Sequence, residues 1–377
     1  MKEIGIYIHI PFCKSKCYYC DFTSFANKQE LVTMYVECLL KEIQNKANDN
    51  YKVKTIFIGG GTPSFIDYCY IEKIINKIKK NYNVDQDAEI TIEVNPGTAN
   101  KEKLKKYYEL GINRLSIGLQ TANNDLLKEI GRIHKYEDYE KTVKIAKEVG
   151  FTNINTDLII GIPNQTIYDV EDTINKLLIL DLTHFSVYSL IIEPGTQLES
   201  MIEEGKLKLP DEEIERYMYW FAKRKLEENG YIHYEISNFA KPGYSSKHNV
   251  DCWTQKEYLG FGVAASSYMN KKRFTNTHCI EEYIKNINLN KYKENVSIEE
   301  EQDEKAEMNE YILLGLRKLK GVNLTDFKNK FSKDLLKEYE ESIKKLLVED
   351  LITIDYNTIK LSKKGLDLAN LVWEEFI

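Results

Sequence analysis

Short apolar segments of strand character alternate with longer amphipathic segments through the first half of the chain. Apolar residues recur at helical spacing between 29 and 46, where Leu31, Tyr35, Leu39 and Ile43 fall on one face. Further helices are predicted at 71–78, 101–110, 125–130, 136–149 and 212–229. The strand-like segments are 4–10, 54–58, 89–94, 114–119, 153–160 and 184–190. This alternation predicts βα units of the α/β class, and six units predict an open, partial (β/α)6 barrel, since eight would close it.

The C-terminal part of the chain shows a different pattern. An extended strand at the sheet edge is predicted at 231–239, and helices are predicted at 300–320, 322–331 and 334–350. The pattern of residues 351–362 predicts a hairpin. Helices followed by a hairpin resemble a winged helix. We therefore divide the chain into a barrel at 1–235, a linker segment with sheet-edge elements at 236–297, and a helical, winged-helix-like domain at 298–377. The acidic residues of this last domain favour a lid or docking role over DNA binding.

Composition and charge narrow the class of protein. Hydrophobic residues make up 42% of the 377 and charged residues 29%, as in ordinary globular domains. The net charge of −7 argues against nucleic acid as a partner, because phosphate binding needs a basic surface. No apolar run approaches the roughly 20 residues that span a bilayer, and the N-terminal apolar run is unlike a signal peptide. With seven cysteines, sparse and odd in number, these features predict a cytoplasmic protein with reduced thiols.

Three cysteines directly follow the first predicted strand, with the spacing C-x₃-C-x₂-C. Cys13, Cys17 and Cys20 supply three thiolates within one short loop. A 4Fe–4S cluster bound wholly by cysteine needs four ligands, so one iron would stay open to another ligand. A structural zinc site that adds His9 is an alternative, as is chance clustering of buried thiols, but the spacing favours the cluster. The aromatic residues suited to form an apolar collar around it are Phe12, Tyr18, Tyr19 and Phe22.

Residues suited to ligand binding recur where the predicted strands end. In a parallel barrel these carboxyl ends share one face, which carries the chemistry. Glycines let a ligand approach the backbone closely, although a triple glycine is also compatible with a simple tight turn. Single acidic residues and arginines are likewise often ordinary surface groups. The candidates that converge on the face of the cysteines are Gly59, Gly60, Gly61, Thr62, Glu93, Gln120 and Asp157.

The cysteine spacing matches the signature of the radical SAM superfamily, and the stretch YIHIPFCKSKCYYCDF resembles one branch of it. That branch contains oxygen-independent coproporphyrinogen III oxidases and HemW-type heme chaperones. The resemblance implies that S-adenosylmethionine (SAM) binds the open iron through its amino and carboxylate groups. The GGGTP loop matches the family motif that contacts the methionine end. Residues that match family contacts to SAM, or to a second SAM molecule, are Tyr7, Tyr19, Glu93, Gln120, Arg132, Asp157 and Ile159.

Three features distinguish the two groups within this branch. Oxidases have a substantial segment before the cysteine motif, whereas we expect Tyr7 to be nearly the first structured residue here. Oxidases also typically carry phenylalanine at the position of Tyr19. The segment HNVDCW resembles the H-N-x-x-Y-W motif of the chaperones, whose histidine is implicated in heme binding. This motif makes His248 a candidate iron ligand, and Cys252, which replaces the motif tyrosine, a weaker one.

The resemblance therefore predicts a chaperone that binds heme, a 4Fe–4S cluster and SAM, and that delivers heme to acceptor proteins. The alternatives are an oxidase that decarboxylates coproporphyrinogen III in porphyrin biosynthesis, and a radical SAM enzyme with another substrate. Expected partners are heme, heme-acceptor proteins and an electron donor. The sequence is compatible with peripheral membrane association through an acceptor, and with a monomer or a dimer. Two points stay open: His248 could instead hydrogen-bond a turn, and Ser266 stands where the family usually has a histidine.

Overall fold

The first half of the chain forms the alternating strands and helices that the hydrophobic pattern predicts. The computed structural model describes residues 1–377, and short 3₁₀ helices lie at Gln29–Leu31 and Pro63–Phe65. In chain order the elements up to residue 190 are β1 (Lys2–Ile10), β2 (Phe12–Cys13), β3 (Phe25–Ala26), α1 (Val32–Asn45), β4 (Tyr51–Gly60), α2 (Tyr68–Asn81), β5 (Asn83–Val94), α3 (Lys101–Glu109), β6 (Arg114–Gln120), α4 (Asn124–Glu129), α5 (Tyr136–Val149), β7 (Asn153–Ile160), α6 (Ile167–Ile179) and β8 (His184–Ser189).

The six predicted strands lie side by side in one parallel sheet, in the order β1-β4-β5-β6-β7-β8. Side chains alternate across each strand. In β1, Ile4, Ile6 and Ile8 are fully buried in the main hydrophobic core with residues of the surrounding helices. Gly5 and Tyr7 have the opposite parity and therefore face the interior of the curved sheet. The prediction of an α/β partial barrel is confirmed.

The middle of the chain extends this sheet at both edges. Its elements are α7 (Gln197–Glu203), α8 (Glu212–Glu228), β9 (Ile232–Glu235), β10 (Asn238–Ala240), α9 (Lys247–Trp253), β11 (Tyr258–Phe261), β12 (Ser266–Met269), β13 (Lys272–Asn276), α10 (Ile280–Asn288) and β14 (Val296–Glu301). Strand β11 pairs in parallel with β1, and β12, β13 and β14 follow antiparallel. At the other edge β10 and β9 add to β8, so the segment predicted as one edge strand forms two. The complete sheet has twelve strands.

The C-terminal residues form a separate small core of seventeen buried residues. The elements are α11 (Glu304–Arg317), β15 (Val322–Asn323), α12 (Leu324–Phe331), α13 (Leu335–Glu338), α14 (Glu340–Val348), β16 (Ile352–Asp355), β17 (Thr358–Leu361), α15 (Lys363–Asp367) and α16 (Ala369–Glu374). Strands β16 and β17 make the predicted hairpin, and β15 pairs with β17. The helix predicted at 300–320 begins only at Glu304, because Glu300 and Glu301 pair with Arg273 and Lys272 in β14 and β13.

The two cores are joined by backbone hydrogen bonds at the sheet edge. Ile236 N donates to Arg317 O at 3.1 Å, and Leu319 N donates to Tyr234 O at 3.1 Å. The proposed division at 235 and 297 stays a prediction, and β14 shows that the large sheet continues to Glu301. No helix combines the length and the apolar character that crossing a bilayer requires.

A buried carboxylate fastens α1 to the strands that extend the sheet. Glu42, only 2% exposed, accepts hydrogen bonds from Gly262 N at 2.9 Å, Asn276 Nδ2 at 2.8 Å and Tyr283 Oη at 2.7 Å. Its cationic partner is Lys46, at 2.7 Å. A buried charge is tolerated when it is paired and fully hydrogen-bonded, as here.

Replacing this carboxylate tests how the sheet extension is held. We expect Glu42→Ala to lower the free energy of unfolding by about 3 kcal/mol or more, because it leaves three buried donors without an acceptor. The urea midpoint of the full chain measures the loss. Glu37→Ala, an exposed site on the same helix, is the matched control and is expected to change stability by less than about 0.5 kcal/mol. Equal midpoints for the two variants would contradict the role of Glu42.

Candidate functional site

The carboxyl ends of the parallel strands surround one cavity of about 140 Å³. The cavity brings together most of the residues singled out from the sequence. Those that line it are Cys13, Cys17, Cys20, Tyr19, Gly60, Gly61, Thr62, Glu93, Gln120, Arg132 and Asp157.

Each glycine of the GGG loop leaves room for a different neighbour. A Cβ on Gly61 would lie 3.0 Å from Cys13 Sγ and 3.0 Å from Ile10 O. A Cβ on Gly60, whose φ is +110°, would lie 2.6 Å from the His9 ring, and one on Gly59 would lie 3.0 Å from the Glu93 carboxyl. Contacts this short leave no room for a Cβ unless the neighbouring group moves. The triple glycine is therefore a packing requirement of the site and not only a turn.

Two side chains donate hydrogen bonds to the cysteine sulfurs. Thr62 Oγ1 lies 3.4 Å from Cys13 Sγ, and an Arg132 Nη lies 3.5 Å from Cys17 Sγ. The other Nη of Arg132 donates to Gly118 O at 2.6 Å and to Asn95 Oδ1 at 3.2 Å. Hydrogen bonds to ligating sulfurs tune an iron–sulfur cluster. Arg132 thus ties the cysteine loop to the ends of β5 and β6.

The donor set fits an iron–sulfur cluster better than a zinc ion. No group of three or more His, Cys, Asp and Glu side chains is close enough to share one metal ion. His9, the zinc ligand considered from the sequence, has both ring nitrogens engaged, with Tyr7 Oη at 3.0 Å and Thr23 O at 2.8 Å. Burial raises the pKa of Cys13 and of Cys20, so these thiols need a bound cation to ionise readily.

Two desolvated carboxyl groups, Glu93 and Asp157, line the first cavity. Burial, reinforced by Asp157, raises the pKa of Glu93 to about 8, although part of its surface faces the cavity. Glu93 Oε2 accepts a hydrogen bond from Gly60 N at 3.1 Å. Burial also raises the pKa of Asp157, which accepts from Asn155 Nδ2 at 2.8 Å and Ser116 Oγ at 3.3 Å. Carboxylates of this kind are suitable acceptors for the hydroxyls or cationic groups of a ligand.

A second, larger cavity of about 500 Å³ adjoins the first and shares Phe22, Gly60 and Glu93 with it. His248 and Cys252, four residues apart on α9, both line this second cavity. Residues at that spacing are neighbours on one helix face. The other lining residues are Tyr7, His9, Asp21, Phe22, Thr23, Tyr258, Ala264, Ser266 and His278.

The imidazole of His248 is held at one nitrogen only. Its Nδ1 lies 2.8 Å from Thr55 Oγ1, and its ring packs beside Phe57 at a centroid distance of 5.3 Å. Its backbone N donates to Glu89 Oε1 at 3.1 Å. Burial, with Arg114 in support, lowers the pKa of His248 to about 4, so the ring is neutral at physiological pH. A neutral imidazole with one free nitrogen is the form that binds metals. Burial raises the pKa of Cys252 to about 12.

The structure leaves four of the expected residues outside both cavities, and one of them, Tyr18, packs against Gly131. Gly59 packs against the Glu93 carboxyl but does not itself line the cavity. Ile159 is buried in a small cluster with Ile130 and Ile162, and its carbonyl accepts from Gln165 Nε2 at 3.1 Å. Phe12 packs in the main core against Tyr35, so it does not contribute to an apolar collar around the cysteines.

Several residues at the site were not identified from the sequence. Asn95 links Thr62 to Arg132, since its Nδ2 donates to Thr62 Oγ1 at 3.0 Å. Its position directly after β5 is a signal of the kind that identified Glu93. Thr55 and Glu89 support His248 from the middle of β4 and the first half of the predicted strand in β5. No local motif marks them.

Comparisons with known proteins agree with this geometry. Residues 7–177 match the radical SAM superfamily, and residues 302–368 match the HemN C-terminal domain. The heme chaperone HemW of Lactococcus lactis is 38% identical over 376 residues, which cover 100% of this chain and 98% of that protein. The heme chaperone HemW of Bacillus subtilis is 38% identical over 374 residues, which cover 98% of each chain.

Among solved structures, coproporphyrinogen III oxidase (HemN) from Escherichia coli, a radical SAM enzyme, has a TM-score of 0.87 with this chain. The likeness covers 100% of this chain and 90% of that one at 22% identity, which demonstrates the shared fold alone. The sequence relatives decide the family, because two of them match over nearly their full length. The chain therefore belongs to the radical SAM superfamily and, within it, to the family of the HemW heme chaperones.

Proposed function

We propose that this chain binds heme through His248, holds a 4Fe–4S cluster through Cys13, Cys17 and Cys20, and delivers heme to acceptor proteins. The observation that carries the proposal is the pair of adjoining cavities. One is lined by the three cysteines, and the other by the neutral imidazole of His248, which is hydrogen-bonded at only one nitrogen. Relatives over the full length are heme chaperones by name. The coproporphyrinogen III oxidase alternative has only the shared fold in its favour.

Membership of the superfamily implies a 4Fe–4S cluster and SAM, and the first cavity has suitable groups for both. The cluster supplies an electron and an open iron site to SAM when both are bound. Gly60, Gly61 and Thr62 leave space beside the sulfurs for the methionine end of SAM. Glu93, Gln120 and Asp157 accept or donate hydrogen bonds to its remaining polar groups.

The other residues have less direct roles in this proposal. Arg132 holds the cysteine loop through Cys17 and Gly118, and Tyr19 covers the same cavity. Tyr7 lines the heme cavity and orients His9. Cys252, beside His248 on α9, is a weaker candidate for heme contact. Ile159 shapes the wall from behind, through its packing against Tyr19.

The partners follow from this chemistry. Heme is the cargo, a heme-acceptor protein takes it over, and an electron donor reduces the cluster. If the acceptor is membrane-bound, the chain associates with the membrane through that acceptor. A cytoplasmic location and the absence of a nucleic-acid partner remain proposals, the second of which is supported by the net charge of −7.

One anaerobic experiment separates the chaperone from the oxidase. The full chain with its cluster is incubated with a reductant, SAM and coproporphyrinogen III, while a parallel sample is titrated with heme. We expect heme uptake near one equivalent without catalytic conversion of the porphyrinogen, because the second cavity offers an iron ligand. Formation of protoporphyrinogen over many turnovers would reject the chaperone proposal.

Removal of the candidate iron ligand is the direct test of the heme site. We expect His248→Ala to shift the Soret band and to weaken heme binding by at least about tenfold, because one iron–imidazole bond is lost. Heme titration followed by absorbance measures both effects. The control is Lys247→Ala, an exposed residue on the same helix that lies outside the HNVDCW motif. An unchanged spectrum and affinity in His248→Ala would rule out this ligand.

The raised pKa of Glu93 predicts a pH dependence of SAM binding. Below a pH of about 8 the free site holds a neutral Glu93, and above it a carboxylate, which attracts the cationic sulfonium of SAM. Affinity for SAM is therefore expected to rise between pH 7 and 9 more steeply in the natural chain than in Glu93→Gln. Calorimetric titrations measure the affinity of both proteins for SAM at each pH. Any protonation of SAM itself affects both proteins equally, so it drops out of the comparison. Parallel pH profiles would contradict a role of Glu93 ionisation.

A further inference from the structure

The second cavity contains more candidate iron ligands than His248 and Cys252. Heme iron accepts imidazole, thiolate or phenolate. The side chains of these types that line the cavity are Tyr7, His9, His248, Cys252, Tyr258 and His278. A heme has two faces, so two groups from different elements of the fold can bind its iron from opposite sides.

Three of these side chains are poor candidates for an iron ligand because of their surroundings. Both ring nitrogens of His9 are hydrogen-bonded, Nδ1 to Tyr7 Oη at 3.0 Å and Nε2 to Thr23 O at 2.8 Å. The first of these bonds also engages the Tyr7 hydroxyl. Tyr258 Oη accepts from Arg273 Nη1 at 3.1 Å. Ligation by His9 or Tyr7 would break a hydrogen bond that the fold has already made, and burial raises the pKa of Tyr258, which keeps its phenol protonated. His248, Cys252 and His278 remain.

His278 is oriented in the same manner as His248. Its Nδ1 lies 2.9 Å from Thr23 Oγ1, and its Nε2 makes no hydrogen bond to the protein. A metal-binding histidine usually has its other ring nitrogen fixed by such a partner. His278 is exposed and lies between β13 and α10, whereas His248 is buried on α9. The two imidazoles therefore reach the cavity from different elements, whereas Cys252 shares the helix face of His248.

The loop that carries His278 is also fastened to the cysteine loop. Thr23 lies three residues after Cys20, and its backbone oxygen accepts a hydrogen bond from His9 Nε2. Lys28 pairs with Glu281 at the start of α10. The position of the His278 ring therefore depends on the segment that leaves the cluster site.

On the basis of the proposed heme function, we propose that His278 is the second axial ligand of the heme iron, with Thr23 as its positioning residue. Heme enters from the exposed side, where His278 lies, and is bound by His248 at the buried side. Two neutral imidazoles are strong-field ligands and produce a six-coordinate, low-spin ferric heme. Loss of one leaves a five-coordinate, high-spin heme.

Heme titration of the full, cluster-loaded chain tests this inference by absorbance and electron paramagnetic resonance. We expect the natural chain to give a low-spin ferric signal, and His278→Ala to give a high-spin signal with affinity reduced by about tenfold. Free imidazole should restore the low-spin signal in His278→Ala, a rescue that a merely structural role would not allow. Thr23→Val should keep the ligand but give a mixture of the two signals, because the ring loses its hydrogen-bond partner.

The matched control is Cys279→Ser, an exposed neighbour on the same loop, which should bind heme as the natural chain does. A low-spin signal that survives in His278→Ala, or that is lost in Cys252→Ser instead, would overturn the assignment. A high-spin signal in the natural chain would overturn it as well. Failure of the underlying heme function looks different, since the unaltered chain would then show no stoichiometric heme binding at all.

Discussion

The site depends first on backbone pairing between the ends of β1 and β4. Beyond the regular ladder, Gly61 N donates to Ile10 O at 2.9 Å and Thr62 N donates to Phe12 O at 2.9 Å. These two bonds hold the glycine loop against the first residues of the cysteine loop, and a Cβ on Gly61 would lie 3.0 Å from both Cys13 Sγ and Ile10 O. The cysteines are thereby presented beside exposed backbone at a strand end, where a small ligand reaches both. Thr62 and Arg132 then add donors to the sulfurs, and Asn95 connects the two.

The same strands support both cavities. On β5, Glu93 lies at the shared wall, whereas Glu89 accepts hydrogen bonds from the backbone of Lys247 and His248. The two residues have the same parity, so they lie on one face of the strand about 13 Å apart. On β4, Thr55 holds the His248 ring and Gly60 closes the first cavity. A shift of either strand would therefore move both cavities together.

Much of the barrel was predictable because its signals are local. The helix at 136–149 and the strand at 153–160 were predicted to the residue, since Gly150 ends the helix with a φ of +120° and Gly161 follows the strand. Strands β11 to β14 gave no such signal. Tyr258 pairs with Gly5, far away in the chain, and Glu300 is in a strand because Arg273 lies opposite. His278 belongs to no motif, and its contact with Thr23 joins residues 255 positions apart. Short strands and side-chain contacts set by distant partners cannot be derived from periodicity.

Gln120 shows that the strand ends are shaped for a ligand at some cost in stability. It has a φ of +79°, a left-handed conformation that a residue with a side chain adopts at a cost of about 1–3 kcal/mol. The register of β6 against β7 shifts between Gly118 and Gln120, and the buried Gln120 side chain lines the first cavity near the Gly118 backbone. A regular strand would direct this residue differently, because side chains alternate across the sheet. The irregular backbone therefore adds an amide to a face that already carries Glu93 and Asp157.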